Sequence, residues 1–318
     1  KEKIYNMRRF SFFTIVLILV FSFALSACGT ATTAAPTMEP TKMEPPAKPV
    51  ATETSAPVVE PTAVSLSGQI QVAGSTTVQP VAEELATAFM AENPGVVIDI
   101  QGGGSSVGVT SAGDGTVDIG TASREIKDSE MEQYPDLQVF AIAYDGIAIV
   151  TNPDVKIPNL TKEQIVGIFT GEITNFKEVG GPDALITVVS REEGSGTRTA
   201  FEELAMQTKD ASGNTVDNPI TEKALLQQSN GQVRTTVATT PNSIGYLSFG
   251  FLDSSINAVP VEGVEPTIAN AKNGTYPIVR PLNMLTKGAP NELSQAFLDF
   301  ILGDAGQTIV SKEYITVK

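Results

Sequence analysis

The chain has 318 residues, a formal net charge of −15, no histidine and one cysteine, Cys28. That length exceeds one typical domain and supports two, each with a core of its own. The acidic balance argues against a nucleic-acid partner, which would need clusters of Lys and Arg. The missing histidine removes His-based triads, His metal ligands and imidazole switching. A single cysteine allows no internal disulfide. If the ligand is an anion, the overall field opposes it, and attraction must come from a few local donors.

The N-terminus reads as an address. Arg8 and Arg9 precede an apolar run over 10–24, which is short for a membrane span, and Leu25-Ser26-Ala27-Cys28 follows. The Leu-Ser-Ala-Cys run resembles a bacterial lipobox. It predicts a signal peptide over 1–27 and a lipidated Cys28, with Met7 as the natural start. Acyl chains on Cys28 would hold the protein at the outer side of the cell membrane without spanning it. Residues 28–67 are rich in Thr, Pro, Ala and Glu and lack periodicity, which predicts a disordered tether.

From Gly68 the pattern changes. Strands are predicted over 69–73, 96–100 and 117–120. Helices are predicted over 81–90, where Val81, Leu85, Ala88 and Phe89 recur at helical spacing, and from about 105 to 113. Further strands are expected over 137–143, 147–151, 186–190, 244–248 and 276–285. Further helices are expected over 161–169, 197–206, 221–228 and 292–302. Strand, polar turn and helix repeat, the signature of an α/β fold with mainly parallel strands. Length favours two lobes.

In open α/β sheets ligands sit beyond the carboxyl ends of the strands, where helix starts present unpaired N–H groups. Three loops fit that position. Gly74-Ser75-Thr76-Thr77 offers close backbone approach and hydroxyls, although Ser and Thr at a helix start also serve as plain caps. Gly102-Gly103-Gly104-Ser105-Ser106 suits an anion-cradling nest; it is not a P-loop, because no Gly-Lys-Ser/Thr follows. Arg191-Glu192-Glu193-Gly194-Ser195-Gly196-Thr197 adds a planar fork of donors, two hydroxyls and helix-start N–H groups. Ser195 has no histidine to act as its base and does not sit in Gly-x-Ser-x-Gly, so a nucleophile reading fails and no enzyme is expected. Asp118 is read as a carboxylate facing the same cleft. It would accept a hydrogen bond from a ligand that carries a proton and repel one that does not.

Six runs appear in one order: GSTTVQP at 74–80, GGGSSVG at 102–108, VDIGTASR at 117–124, IFTGEITNFKEVGG at 168–181, REEGSGTR at 191–198 and IGY at 244–246. Together they resemble the phosphate-binding proteins of bacterial phosphate ABC importers (the PstS family). The resemblance implies a two-lobed type II periplasmic-binding-protein fold with crossover hinge strands. Lobe 1 is expected over 68–145 plus 250–318, and lobe 2 over 146–249. It also implies inorganic phosphate as ligand, an ABC permease as partner, a monomer, and no cofactor or metal. Phosphate contacts are implied for Thr76, Thr77, Ser105, Asp118, Arg191, Ser195, Gly196 and Thr197. Asp118 would be the group that separates phosphate from sulfate. Glu193 stands where relatives often have Asp in support of the arginine, and Phe176 stands where a Trp is common. Ser123 and Arg124 are expected to line the mouth. Sulfate or molybdate binding and a phosphatase-like activity are the rival readings.

Overall fold

The computed structural model describes residues 66–318. The expected signal peptide, Cys28 and nearly all of the expected tether lie outside them. Among the described residues no helix is long and apolar enough to cross a membrane.

Strand and helix alternate at first: β1 (Ser67–Gly74), α1 (Gln79–Glu92), β2 (Gly95–Gly102), α2 (Ser105–Asp114), β3 (Ile119–Ala122), α3 (Asp128–Gln133) and the long β4 (Leu137–Thr151). Next come α4 (Lys162–Thr170), β5 (Thr187–Arg191), α5 (Gly196–Phe201), β6 (Thr208–Lys209), β7 (Thr215–Val216), β8 (Leu225–Gln227) and α6 (Asn230–Thr239). The chain closes with β9 (Ser243–Ser248), β10 (Asn257–Val259), α7 (Ile268–Lys272), β11 (Val279–Lys287), α8 (Glu292–Leu302), α9 (Asp304–Val310) and β12 (Ile315–Thr316).

Local chemistry explains these elements. The Ser75 hydroxyl accepts from the N–H groups of Thr77 and Val78 just ahead of α1, and Pro80 sits in the first turn, where a missing N–H costs nothing. Val81, Leu85 and Phe89 then bury one stripe. In α8, Asn291 caps the start by accepting from Ser294 N, and Phe297, Leu298 and Ile301 face inward.

One sheet runs through both lobes in the order β2-β1-β3-β11-β4-β9-β5-β8, with β10 and β12 also paired to β4. β1 pairs in parallel with β2 and β3, and β5 pairs in parallel with β8 and β9. The crossover strands are β4 and β11, antiparallel to each other with Asp145 opposite Arg280. Two cores lie on either side of this crossing. One gathers Ile70, Leu85, Ile119, Ile142, Leu282, Met284 and Phe297. The other gathers Ile147, Ile149, Phe169, Phe201, Tyr246, Tyr276 and Ile278. The fold is therefore the two-lobed α/β architecture with crossover strands.

Three details differ from the sequence reading. Residues 250–278 were expected with lobe 1, yet Ile256, Val259, Val261, Ala271, Tyr276 and Ile278 pack in the second core; the chain returns to lobe 1 only along β11. Residues 221–228, expected as a helix, form a turn and the edge strand β8, where Leu225 and Leu226 face solvent. Short apolar runs do not distinguish strand from helix by period. The true helix, α6, starts only at Asn230, behind the Ser229 cap, and buries only Asn230, Val233 and Val237, so it carried little apolar signal. Residues 137–143 and 147–151 are one strand, because Asp145 and Gly146 continue the ladder rather than break it.

Helix α2 rests directly on β3. A Cβ on Gly108 would strike the backbone of Thr121, which cannot move aside as a side chain does. Gly108→Ala should therefore lower unfolding free energy by about 1–3 kcal/mol in chemical denaturation.

Candidate functional site

Parallel pairing places the turns that follow β1, β2 and β3 at one end of lobe 1, and those that follow β5, β8 and β9 at the facing end of lobe 2. The strand-to-helix turns meet there, as expected for ligand sites in open sheets. Ser75, Thr77, Ser105, Ser123, Arg191, Ser195, Thr197, Asn230, Ser248 and Arg280 are all buried polar residues of these turns and strand ends.

Contacts cross the gap at several points. Ser106 N donates to Gly194 O at 3.1 Å. Thr77 Oγ1 and Thr197 Oγ1 are 3.1 Å apart. Asn230 Nδ2 donates to Thr77 Oγ1 at 2.8 Å, and Arg191 Nη2 donates to Thr76 Oγ1 at 3.2 Å. Gly196 packs so closely on Ser105 and Ser123 that a Cβ there would overlap the Ser105 hydroxyl. Gly194 adopts φ +85° in the turn that exposes its carbonyl. The lobes stand closed on each other at this site.

Arg191 is the centre of the arrangement. Its side chain is 1% exposed. Nε donates to Glu192 Oε2 at 3.0 Å and to Gln227 O at 3.1 Å. Nη2 donates to Glu192 Oε1 at 2.9 Å, to Gln228 O at 3.2 Å and to Thr76 Oγ1. Nη1 is buried and has no partner among the described residues. A buried guanidinium N–H left unpaired costs free energy, so such a group calls for an acceptor. The backbone N of Arg191 donates to Tyr246 Oη at 3.3 Å, and Tyr246 Oη lies 2.8 Å from Ser190 Oγ. Burial pushes the Tyr246 hydroxyl up to about 12, which keeps it a neutral strut.

The remaining donors line the same space. Ser105 Oγ accepts from Ser123 N at 3.0 Å. Ser195 Oγ caps α5, accepting from Arg198 N at 3.3 Å. The structure thus brings together Thr76, Thr77, Ser105, Arg191, Ser195, Gly196 and Thr197. Glu193, expected to support the arginine, is exposed, and Glu192 does that work instead. Ser123 is buried within the cluster. Arg124 turns to Glu130 in a two-pronged pair with both bonds at 2.7 Å. Among the described residues no group of His, Cys, Asp and Glu could hold a metal ion.

Asp118 does not join them. It precedes β3, whose Ile119 is level with Val72 of β1. Its Oδ2 accepts from Gln71 N at 2.8 Å and its Oδ1 from Asn291 Nδ2 at 3.4 Å. The cleft begins past Ala122, about 16 Å further along at about 3.3 Å per residue. The sequence reading had Asp118 ending a short apolar strand and so facing the cleft; the strand instead begins after it, at Ile119, and a parallel strand delivers to the cleft only from its carboxyl terminus. The nearest carboxylates in the cluster are Glu192 and Asp145, each bound to a guanidinium.

Three contributors were missed: Asn230, Asp145 and Arg280. Asp145 and Arg280 are single charges inside long apolar strands, AIAYDGIAIV and IVRPLNML. A charge in a strand buried on both faces needs a partner, and that signal was available.

A family model for the PBP superfamily domain matches residues 51–305. The phosphate-binding protein PstS of Bacillus subtilis is 34% identical over 254 residues, covering 79% of this chain and 81% of that protein. The PstS of Borreliella burgdorferi is 31% identical over 249 residues, covering 77% and 88%. A substrate-binding protein with bound phosphate from Clostridium perfringens is 42% identical, with a TM-score of 0.73, covering 79% of this chain and all of that one. An ABC-type phosphate transport receptor from Vibrio cholerae is 34% identical, with a TM-score of 0.65, covering 78% and 99%.

Two measurements check this geometry. Asp118→Asn should leave anion affinity within about twofold of wild type in calorimetry, whereas Arg191→Ala, which removes a charged donor, should lower it by at least about tenfold. Separately, burial raises the Glu130 carboxyl, but the hydrogen bonds from Arg124 and Lys127 outweigh it and leave the group below its ordinary value. A depressed carboxyl contributes stability above its unfolded value of about 4.3 and loses it as pH falls through the folded value. Glu130→Gln should therefore be less stable than wild type at pH 7 in urea titrations, with the difference closing below about pH 4.

Proposed function

We propose that this protein, which belongs to the PstS family of phosphate-binding proteins within the PBP superfamily, is an extracytoplasmic solute-binding protein that captures inorganic phosphate and delivers it to an ABC import permease. One observation carries the reading at residue level: the buried Arg191 Nη1, unpaired among the described residues, in a cleft lined by hydroxyls and helix-start N–H groups. Such a set suits the oxygens of a small tetrahedral anion. Thr76, Thr77, Ser105, Arg191, Ser195, Gly196 and Thr197 are its proposed contacts, with Ser123 added and Asp118 withdrawn.

Both buried guanidiniums of the cleft, Arg191 and Arg280, carry a carboxylate partner. The cleft thus attracts the anion through oriented donors rather than through a large net charge, in keeping with the acidic chain. Charge-assisted hydrogen bonds contribute roughly 1.5–3 kcal/mol each, and micromolar affinity needs about 8 kcal/mol. Several such bonds suffice after the cost of closing the lobes. Donors come from both lobes, so the anion favours the closed form through contacts available only there. The closed form then presents itself to the permease.

The reading includes a signal peptide over 1–27, a lipid anchor on Cys28, a tether over 28–67 that leaves the binding unit free to reorient near the membrane, and a monomer. No covalent step, cofactor or metal is invoked. With Asp118 out of the cleft, the preference for phosphate over sulfate or molybdate rests on the relatives rather than on a proton-accepting carboxylate at that position.

Isothermal calorimetry of the purified protein with phosphate, sulfate and molybdate is the direct test. We expect phosphate to bind at micromolar or better affinity and at least about 100-fold more tightly than the others, a difference of about 2.7 kcal/mol. Equal or tighter sulfate binding would overturn the assignment.

A further inference from the structure

The hydroxyls of the cleft have an orientation that the surrounding donors determine. Ser248 N can only donate, and it donates to Asn230 Oδ1 at 3.3 Å. That settles which end of the Asn230 amide is which, so Nδ2 is the group that donates to Thr77 Oγ1 at 2.8 Å. Arg280 Nη2 donates to the same oxygen at 3.3 Å. A hydroxyl has two lone pairs and one proton. With both lone pairs of Thr77 taken, its proton goes to the partner that remains among the described residues, Thr197 Oγ1, at 3.1 Å. Thr197 then accepts, and its own proton has no other partner among the described residues.

Arg280 is built for this task. It sits on β11 directly across from Asp145 on β4, at the crossing between the lobes. Nε and Nη2 donate to Asp145 Oδ2 at 3.2 and 2.8 Å, both groups are buried, and Phe249 N donates to Asp145 Oδ1 at 3.2 Å. Its other N–H groups reach the cleft. Nη1 donates to Ser123 O at 2.9 Å and to Ser123 Oγ at 3.3 Å. The same guanidinium therefore occupies an acceptor site on Thr77 and on Ser123.

We infer that Arg280, held by Asp145 across the two crossover strands, is a positioning residue. With Asn230 it turns the Thr77 proton toward Thr197, so that the Thr197 hydroxyl reaches the bound anion as a donor. This rests on the cleft being the anion site, and it assigns a role to three residues outside the proposed contact set. Remove the Arg280 donor and Thr77 can accept from Thr197 instead. The Thr197 proton then turns back into the protein, and the anion loses a donor without losing any residue that touches it.

The test is a double-mutant cycle on phosphate affinity, measured by calorimetry on the whole protein. Thr197→Val is made in the wild type and in two backgrounds that leave no lone buried charge. Arg280→Lys keeps the cation opposite Asp145 but lacks the fork that reaches Thr77 and Ser123. Asp145→Asn/Arg280→Gln removes both charges together. Thermal melts select whichever background folds as the wild type does. In the wild type, Thr197→Val should lower affinity by about tenfold or more, and Thr197→Ser should restore it. In the altered background, Thr197→Val should cost less than about threefold, and Thr197→Ser should restore little. Equal losses in both backgrounds would overturn the positioning role while leaving the anion site standing. Absence of phosphate binding by the wild type would instead sink the ligand assignment. If neither background folds, Asn230→Leu, which withdraws the other donor to Thr77, replaces them with the same two outcomes.

Discussion

A buried guanidinium with one nitrogen left over organises this cleft. Arg191 is almost wholly out of water, and Glu192, two backbone carbonyls and Thr76 take the donors of Nε and Nη2. Nη1 has none of these. The interior of a protein tolerates such a group when a ligand oxygen completes it. The turns around it are arranged accordingly: Tyr246 steadies the backbone from below, Ser195 caps the helix that follows, and Gly194 and Gly196 let the two lobes approach within hydrogen-bond distance.

That arrangement depends on strand direction. Because β1, β2 and β3 run parallel, their polar turns gather at one end. Because β5, β8 and β9 do the same in the second lobe, the two sets face each other across the crossing of β4 and β11. Helix starts accompany each turn and contribute N–H groups without adding net charge. An acidic protein can in this way hold an anion: local dipoles and two compensated guanidiniums act at contact distance, while the exterior charge is screened over about 8–10 Å at physiological salt.

The crossing itself carries charge. Burial pushes the Asp145 carboxyl up and the Arg280 guanidinium down from their ordinary values, and each opposes the other's shift through the ion pair between them. A buried pair of this kind is weak evidence for stability by itself. Its position is more informative: it ties the two strands that connect the lobes, and its remaining donors end on Thr77 and Ser123 in the cleft.

The amino-acid sequence alone carried the α/β class, the strand–turn–helix repeat and the three polar loops, because each is encoded in neighbouring residues: periodicity for the elements, Gly, Ser, Thr and Arg for the turns. It also placed Thr76, Thr77, Ser105 and Arg191 to Thr197 in one constellation through their ordered motifs. What it left open depends on partners far along the chain. Whether Asp118 meets the cleft turns on which end of β3 faces it, and parallel pairing with β1 put that carboxylate beside Gln71 and Asn291 instead. Residues 250–278 joined the second core because β11, not the segment after β9, makes the return crossing. Asp145 and Arg280, 135 positions apart, became a pair only when antiparallel register set them opposite each other. Local pattern carries most of the secondary structure, short apolar runs such as 221–228 excepted, but only strand direction and register decide which distant residue a side chain meets.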